Sequence, residues 1–256
     1  MIHIDHLKKS YDSFTLDCSL DIPKGIITGI IGMNGAGKST LFKSILDINP
    51  IDEGNIQIPD KQDIGVVLSE TGFSEFFTVS DIISILKCTY KRFDEDLFHS
   101  YCQRFDIPLD KKTRTFSTGM KAKLNIIIAL THHAKLLILD EPTAGLDVLT
   151  RDEILDILRD YMEQEDCTIL ISSHISSDLE SLCDDLYVID HGQIIMHEEM
   201  DTLLSQYGVL KVSKEDYDNL DKDYLLEVMK EPFGYSCLTN VRQFYSENYP
   251  TIVIEQ

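Results

Sequence analysis

Apolar and polar residues alternate without a break from Phe14 to Ile22, with Phe14, Leu16, Cys18, Leu20 and Ile22 on one side and Thr15, Asp17, Ser19 and Asp21 on the other. A period of two belongs to a strand with one dry face, and it predicts a half-buried strand antiparallel to the segment Met1 to Asp5. Pro23, Lys24 and Gly25 turn the chain, and the run Ile26 to Ile31 then predicts a strand buried on both faces. A glycine-rich loop follows, after which Leu41, Phe42, Ile45 and Leu46 fall along one side of a helix.

Over about 73–130 the period becomes helical. Ile82, Ile83, Leu86 and Tyr90, then Leu97, Phe98, Tyr101, Cys102 and Phe105, recur at that spacing, with Thr78 and Asp94 placed as N-caps. This predicts an inserted helical subdomain. Leu136 to Asp140 reads as the next buried strand, and Thr150 with Glu153 as a capping box opening a helix that carries Ile154, Ile157, Leu158, Tyr161 and Met162 inward. A third buried strand is predicted from Thr168 to Ser172. Strand, helix, strand alternation of this kind predicts an α/β fold with a mostly parallel sheet, whose ligands sit at the carboxyl ends of the strands. Leu186 to Ile189 and Gln193 to Met196 flank Asp190, His191 and Gly192, which read as a tight hairpin. Beyond Met200, Val209 to Val212, Tyr224 to Met229 and Thr251 to Glu255 alternate with acidic turns. The expected organisation is a main domain over 1–200 and a small α/β extension over 201–256.

Charge and composition then exclude several functions. Net charge is -21, from 44 acidic against 23 basic residues, so repulsion from a phosphate backbone argues against nucleic acid as a partner. The apolar runs fall far short of the roughly 18 residues of a membrane span, and the first residues show no apolar stretch ahead of a small-residue cleavage site. A cytoplasmic chain is expected. Cys18, Cys88, Cys102, Cys167, Cys183 and Cys237 show no CxxC pairing and read as reduced thiols without assigned chemistry.

The glycine-rich loop carries the chemistry. Gly32, Met33, Asn34, Gly35, Ala36, Gly37, Lys38, Ser39 and Thr40 match GxxxxGK[ST] directly between a buried strand and an amphipathic helix. Glycines let backbone N–H groups curl around phosphate oxygens, the helix N-terminus adds positive potential, Lys38 reaches the β and γ phosphates, and Ser39 can ligate Mg²⁺. Taken alone, the segment is also compatible with a flexible glycine turn. A magnesium-dependent hydrolase further needs a carboxylate at the end of a neighbouring buried strand. Asp140 is placed to orient the metal and Glu141 to polarise an attacking water, although two solvated acids capping a strand would look the same. His174 ends the third strand, where a donor can contact the γ-phosphate. Ser117 is a natural N-cap for the helix running to Leu130.

Together these residues resemble the ATP-binding cassette family of transporter ATPases, over Met1 to about Met200. GMNGAGKST looks like its Walker A, LLILDEPT its Walker B with the catalytic glutamate Glu141, Ala144 to Asp147 its D-loop, and His174 its switch histidine. Tyr11 falls where the family places an aromatic against adenine. FSTGMK, Phe116 to Lys121, is similar to the signature usually written LSGGQ: Ser117 and Gly119 are kept, Thr118 and Met120 depart, in the manner of drug, antibiotic and peptide exporters. The family's Q-loop glutamine is replaced by Ser69, followed by Glu70, and Phe73, Phe76 and Phe77 come next as candidates for a docking groove.

The resemblance implies a P-loop NTPase core with an N-terminal antiparallel β subdomain, an inserted α-helical subdomain and a C-terminal α/β extension. It implies ATP and Mg²⁺ as cofactors, a second ATPase chain as partner, and an integral membrane transporter subunit that places this chain on the inner face of the cell membrane. Ser117 and Gly119 would then serve a neighbour's nucleotide, and Asp147, in the D-loop, would also contact nucleotide. A small GTPase or nucleotide kinase is disfavoured, since no NKxD motif is present. A soluble non-transport ATPase of the same family, in cofactor assembly or translation, stays open.

Overall fold

The alternating segment pairs as its period demands: β1 (Ile2–Tyr11) and β2 (Phe14–Ile22) run antiparallel, with Ile2 opposite Ile22 and Tyr11 opposite Phe14. The computed structural model describes residues 2–68, 72–164 and 166–255, and the chain divides into two units, Met1–His197 and Glu198–Gln256.

In the first unit, β3 (Ile27–Ile31) leads through the glycine-rich loop into α1 (Lys38–Ile45), and β4 (Glu53–Gln57) adds to β1, completing a three-stranded antiparallel sheet in the order β2-β1-β4. After β5 (Ile64–Val67) come three helices, α2 (Val79–Thr89), α3 (Glu95–Arg104) and α4 (Thr118–Leu130). Their first turns are capped by Thr78, Asp94 and Ser117, whose side chains accept backbone N–H groups three residues on. The remaining elements are β6 (Leu136–Asp140), α5 (Val148–Met162), β7 (Thr168–Ser173), α6 (Ser176–Leu182), β8 (Asp185–Asp190) and β9 (Gln193–Glu199).

The central sheet has the order β5-β6-β7-β3-β8-β9, and the pairs β5–β6, β6–β7, β7–β3 and β3–β8 are all parallel. Strands covered on both faces need apolar residues throughout, and Leu137, Ile138 and Leu139 of β6 and Ile169, Leu170 and Ile171 of β7 are wholly buried. Each such side chain contributes about 1.5–3 kcal/mol on leaving water. Isoleucines and leucines of β1 and β2 share one core with Leu41, Phe42 and Ile45 of α1. This ties the antiparallel sheet to the helix behind the glycine-rich loop.

One expected boundary moves. The helix read as opening at Thr150 starts earlier: Asp147 is its N-cap, accepting the Thr150 N–H at 3.0 Å and the Thr150 hydroxyl at 2.8 Å. Aspartate caps at least as well as threonine, and with Asp147 available three residues upstream the helix gains a turn. Val148 and Leu149, now helical, are left 68% and 77% exposed.

The second unit holds α7 (Met200–Gln206), β10 (Gly208–Ser213), α8 (Lys214–Asn219), β11 (Leu225–Glu231), β12 (Gly234–Thr239), α9 (Arg242–Asn248) and β13 (Val253–Glu255). Its strands form a sheet in the order β11-β12-β10-β13, with Leu210, Val212, Leu220, Cys237 and Tyr245 as a core of their own. All six cysteines are free, and no described helix is long and apolar enough to cross a membrane.

Candidate active site

The strand order sets the site. Because β7 lies between β6 and β3, the carboxyl end of β6 and the loop after β3 face each other across the residues that follow β7. A cavity of about 400 Å³ opens there, walled by Phe14, Met33, Asn34, Gly35, Gly37, Lys38, Ser39, Thr40, Glu141, Ala144 and His174. Glycines 35 and 37 take positive φ, and Gly37 caps α1, so the helix N-terminus points into this space.

Lys38 is almost fully buried, donating to the Gly32 carbonyl at 2.6 Å and the Met33 carbonyl at 3.4 Å. Its ammonium also lies 3.3 Å from one carboxylate oxygen of Glu141, and the other Glu141 oxygen meets Nδ1 of His174 at 2.5 Å. A single carboxylate therefore joins the phosphate loop to the residue after β7. Glu141 holds this position with φ of 53°, and its N–H donates to the Ser172 hydroxyl at 3.0 Å.

The same Ser172 hydroxyl donates to Oδ1 of Asp140 at 2.7 Å, whereas Oδ2 of Asp140, deeply buried, has no hydrogen-bond partner among the described residues. A bare buried carboxylate oxygen is costly, and a hard cation with oxygen ligands would satisfy it. Asp140 therefore fits as a ligand to Mg²⁺, and Ser39, on the wall of the adjoining cavity, carries a hydroxyl of the kind that could join it. No cluster of three or more His, Cys, Asp or Glu suited to a metal exists among the described residues. Asp140 also borders a second cavity of about 490 Å³, which shares Glu141 and Ala144 with the first and extends to Phe73, Thr118 and Lys121.

The hairpin between β8 and β9 props the loop from outside. Gly192, at φ 81°, donates its N–H to the Ala36 carbonyl at 2.8 Å and accepts the Asp17 N–H at 2.8 Å. A Cβ at this position would sit 2.0 Å from the Thr15 carbonyl oxygen, against fixed backbone. Gly192→Ala is expected to cost roughly 3 kcal/mol, against about 1 kcal/mol for Gly145→Ala, whose φ is also positive but whose Cβ meets open space. Thermal melts of the two variants check this order.

Other expected site residues lie apart from the cavity. Ser117, Gly119 and Asp147 do not line it. Gly119 and Asp147 meet instead through Thr150: a Cβ on Gly119 would fall 2.9 Å from Thr150, whose backbone and hydroxyl bind Asp147. Those two hydrogen bonds hold the Asp147 carboxyl below its usual range. Tyr11, 46% exposed, accepts from Asn49 at 3.1 Å and lies 6.4 Å from the Phe14 ring. Phe14, which sequence reasoning passed over as one more strand residue, is the aromatic on the cavity wall. Ser172 was equally missed, although a pair of serines ending a buried apolar strand was a visible signal. Ser69 and Glu70 lie outside the described residues.

The family model described as ABC transporter matches residues 16–144. ABC transporter ATP-binding protein YtrB of Bacillus subtilis (strain 168) is 31% identical over 231 residues, 86% of this chain and 79% of that protein. Lantibiotic transport ATP-binding protein SrtF of Streptococcus pyogenes is 35% identical over 212 residues, 78% of this chain and 92% of that protein. Among solved structures, an ATP-binding subunit of an ABC transporter superposes with a TM-score of 0.71 at 23% identity, covering 80% of this chain and 92% of that one. With the family model spanning half of the sequence and these relatives most of it, the chain belongs to the ABC transporter family, as an ATP-binding subunit.

Proposed function

We propose that this chain hydrolyses ATP with Mg²⁺, and that two copies, or this chain and a related one, close around nucleotide to drive a separate integral membrane subunit. The observation that carries the reading is the Glu141 carboxylate held between Lys38 and His174 at the mouth of the phosphate loop. When ATP occupies the loop, Lys38 exchanges its carbonyl and carboxylate partners for the β and γ phosphates. That frees Glu141 to accept a hydrogen bond from the attacking water and take its proton as the γ-phosphorus–oxygen bond to ADP breaks. His174 donates to the γ-phosphate and, through Glu141, registers its departure. Mg²⁺, held by Ser39 and Asp140, would neutralise charge on the phosphate oxygens. Phe14, on the cavity wall, offers a ring to adenine, with Tyr11 6.4 Å from it.

Ser117 and Asp147 are exposed, Gly119 is half-buried, and none of the three lines the cavity, which supports their serving the neighbouring subunit's nucleotide across a head-to-tail interface. The place of action is the cytoplasmic face of the membrane, and likeness to a lantibiotic transport protein supports the exporter direction. Co-purification of the full chain with an integral membrane protein tests the transport reading. A chain that never associates with one favours the soluble alternative.

The docking surface follows from exposed aromatics. Phe76 is 66% exposed and Phe77 37%, with the Arg114 guanidinium 5.7 Å from the Phe76 ring. Lys121 binds Glu75 at 2.6 Å beside them and holds its carboxyl below the usual range. Phe76→Ala is expected to speed dissociation from the detergent-solubilised membrane partner about tenfold, since buried interface aromatics act mainly on off-rate. The charge of -21 should make association slow as salt rises. Normal dissociation of the alanine variants together with a salt-indifferent on-rate would remove this surface from consideration.

A further inference from the structure

Asp178 lies in the first turn of α6 and is completely buried, with no part in any step above. A carboxylate so placed needs partners, and it has them on two sides. The Thr143 hydroxyl donates to its Oδ2 at 2.7 Å, and the Arg151 side chain, from α5, forms an ion pair with its Oδ1. Arg151 is itself fixed to the same turn, donating to the Ser177 hydroxyl at 2.7 Å.

The sequence positions of these groups give the cluster its meaning. Thr143 stands two residues after Glu141, in a loop closed by N–H donation from Ala144 to the Glu141 carbonyl at 3.2 Å and from Leu146 to the Thr143 carbonyl at 3.3 Å. Asp178 stands four residues after His174, and its N–H donates to the Ile175 carbonyl at 3.2 Å. The Thr143–Asp178 hydrogen bond thus closes a ring: β6 leads to Glu141 and Thr143, β7 leads to His174 and Asp178, and the two arms touch once at Glu141–His174 and again at Thr143–Asp178. The first contact is exposed at its histidine and must change when phosphate arrives, whereas the second is dry. Glu141 also sits in a left-handed conformation that is held only where its surroundings over-determine it.

We propose that Asp178 is a positioning residue for hydrolysis: by binding Thr143 it fixes the loop carrying Glu141 against the loop carrying His174, with Arg151 balancing its charge. The proposal rests on the ATPase reading above. A hydrogen bond to a charged group is strong when buried, and its loss lets the Glu141 carboxyl drift from the water it orients without disturbing the phosphate loop that binds ATP.

Thr143→Val removes the hydroxyl at nearly constant volume, Thr143→Ser retains it, and Asp178→Asn removes the charge. Each is measured as the full chain for ATP affinity, steady-state hydrolysis and melting temperature. Expected for Thr143→Val is a kcat lower by about 10- to 100-fold with KM and ATP affinity within about twofold of the parent. Thr143→Ser should recover kcat to within about threefold, and the Thr143→Val, Asp178→Asn pair should lose less than the product of the single losses. Wild-type kcat in Thr143→Val overturns the proposal, as does a matching loss in the valine and serine variants that simply tracks melting temperature. If the parent chain itself hydrolyses no ATP, the proposal falls together with the reading it rests on; an active parent that Glu141→Gln silences, with Thr143→Val unimpaired, removes the proposal alone.

Discussion

Glu141→Gln will abolish ATP hydrolysis while leaving ATP binding intact. In the proposed role the carboxylate accepts a proton and orients water, worth about 10²- to 10⁴-fold in rate, and it adds nothing favourable to phosphate affinity. It opposes binding to a small degree, because its negative charge lies 3.3 Å from the lysine that the phosphates must recruit. The glutamine variant should therefore bind ATP as tightly as the parent or slightly more so. Lys38→Ala should do the opposite, since a charge-assisted hydrogen bond to phosphate contributes about 1.5–3 kcal/mol, or roughly 10- to 100-fold in affinity. Nucleotide titration and phosphate release, run on both variants, separate the roles. Equal loss of affinity in the two would show that Glu141 belongs to binding and not to the chemical step.

The second large effect concerns assembly. With Mg²⁺ and ATP, the Glu141→Gln chain at tens of micromolar should double in mass by light scattering and return to a monomer when ATP is replaced by ADP. The surface that would meet a neighbour's phosphates is already ordered in one chain. The Ser117 hydroxyl accepts the Met120 N–H at 3.2 Å and caps α4, and Ser117 and Thr118 at this positively polarised helix start are exposed. Gly119 brings that helix end against Thr150 and so against Asp147. Val148 and Leu149, largely exposed at the same place, supply apolar area that a second chain would cover. A chain that stays monomeric with ATP, far above ordinary working dissociation constants, would count heavily against the shared site.

Elements whose identity depends on neighbouring residues in the sequence were legible before any coordinates. The alternation of Phe14 to Ile22, the unbroken β6 and β7, and the caps Thr78, Asp94 and Ser117 each rest on contacts within a few positions. What was hidden depends on topology or competition. β4 escaped notice because Glu53, Gly54, Asn55 and Gln57 surround a single apolar residue, Ile56, in a strand largely open to water. Asp147 and Thr150 are both good caps three residues apart, and sequence alone does not rank them. The strand order that interposes β7 is not encoded in any local period. The contacts Lys38–Glu141, Glu141–His174 and Thr143–Asp178, which span 103, 33 and 35 positions, therefore had no sequence signature as pairs.

The left-handed backbone at Glu141, φ 53°, puts function and robustness in opposition at one residue. Glutamate tolerates that conformation poorly, at a cost of about 1–2 kcal/mol that glycine avoids and asparagine reduces. Replacement by either would relax the fold and end hydrolysis in the same stroke. Under the proposed role of Glu141, selection for stability alone would drift toward inactive, heat-tolerant chains at this position, and a demand for turnover would oppose that drift.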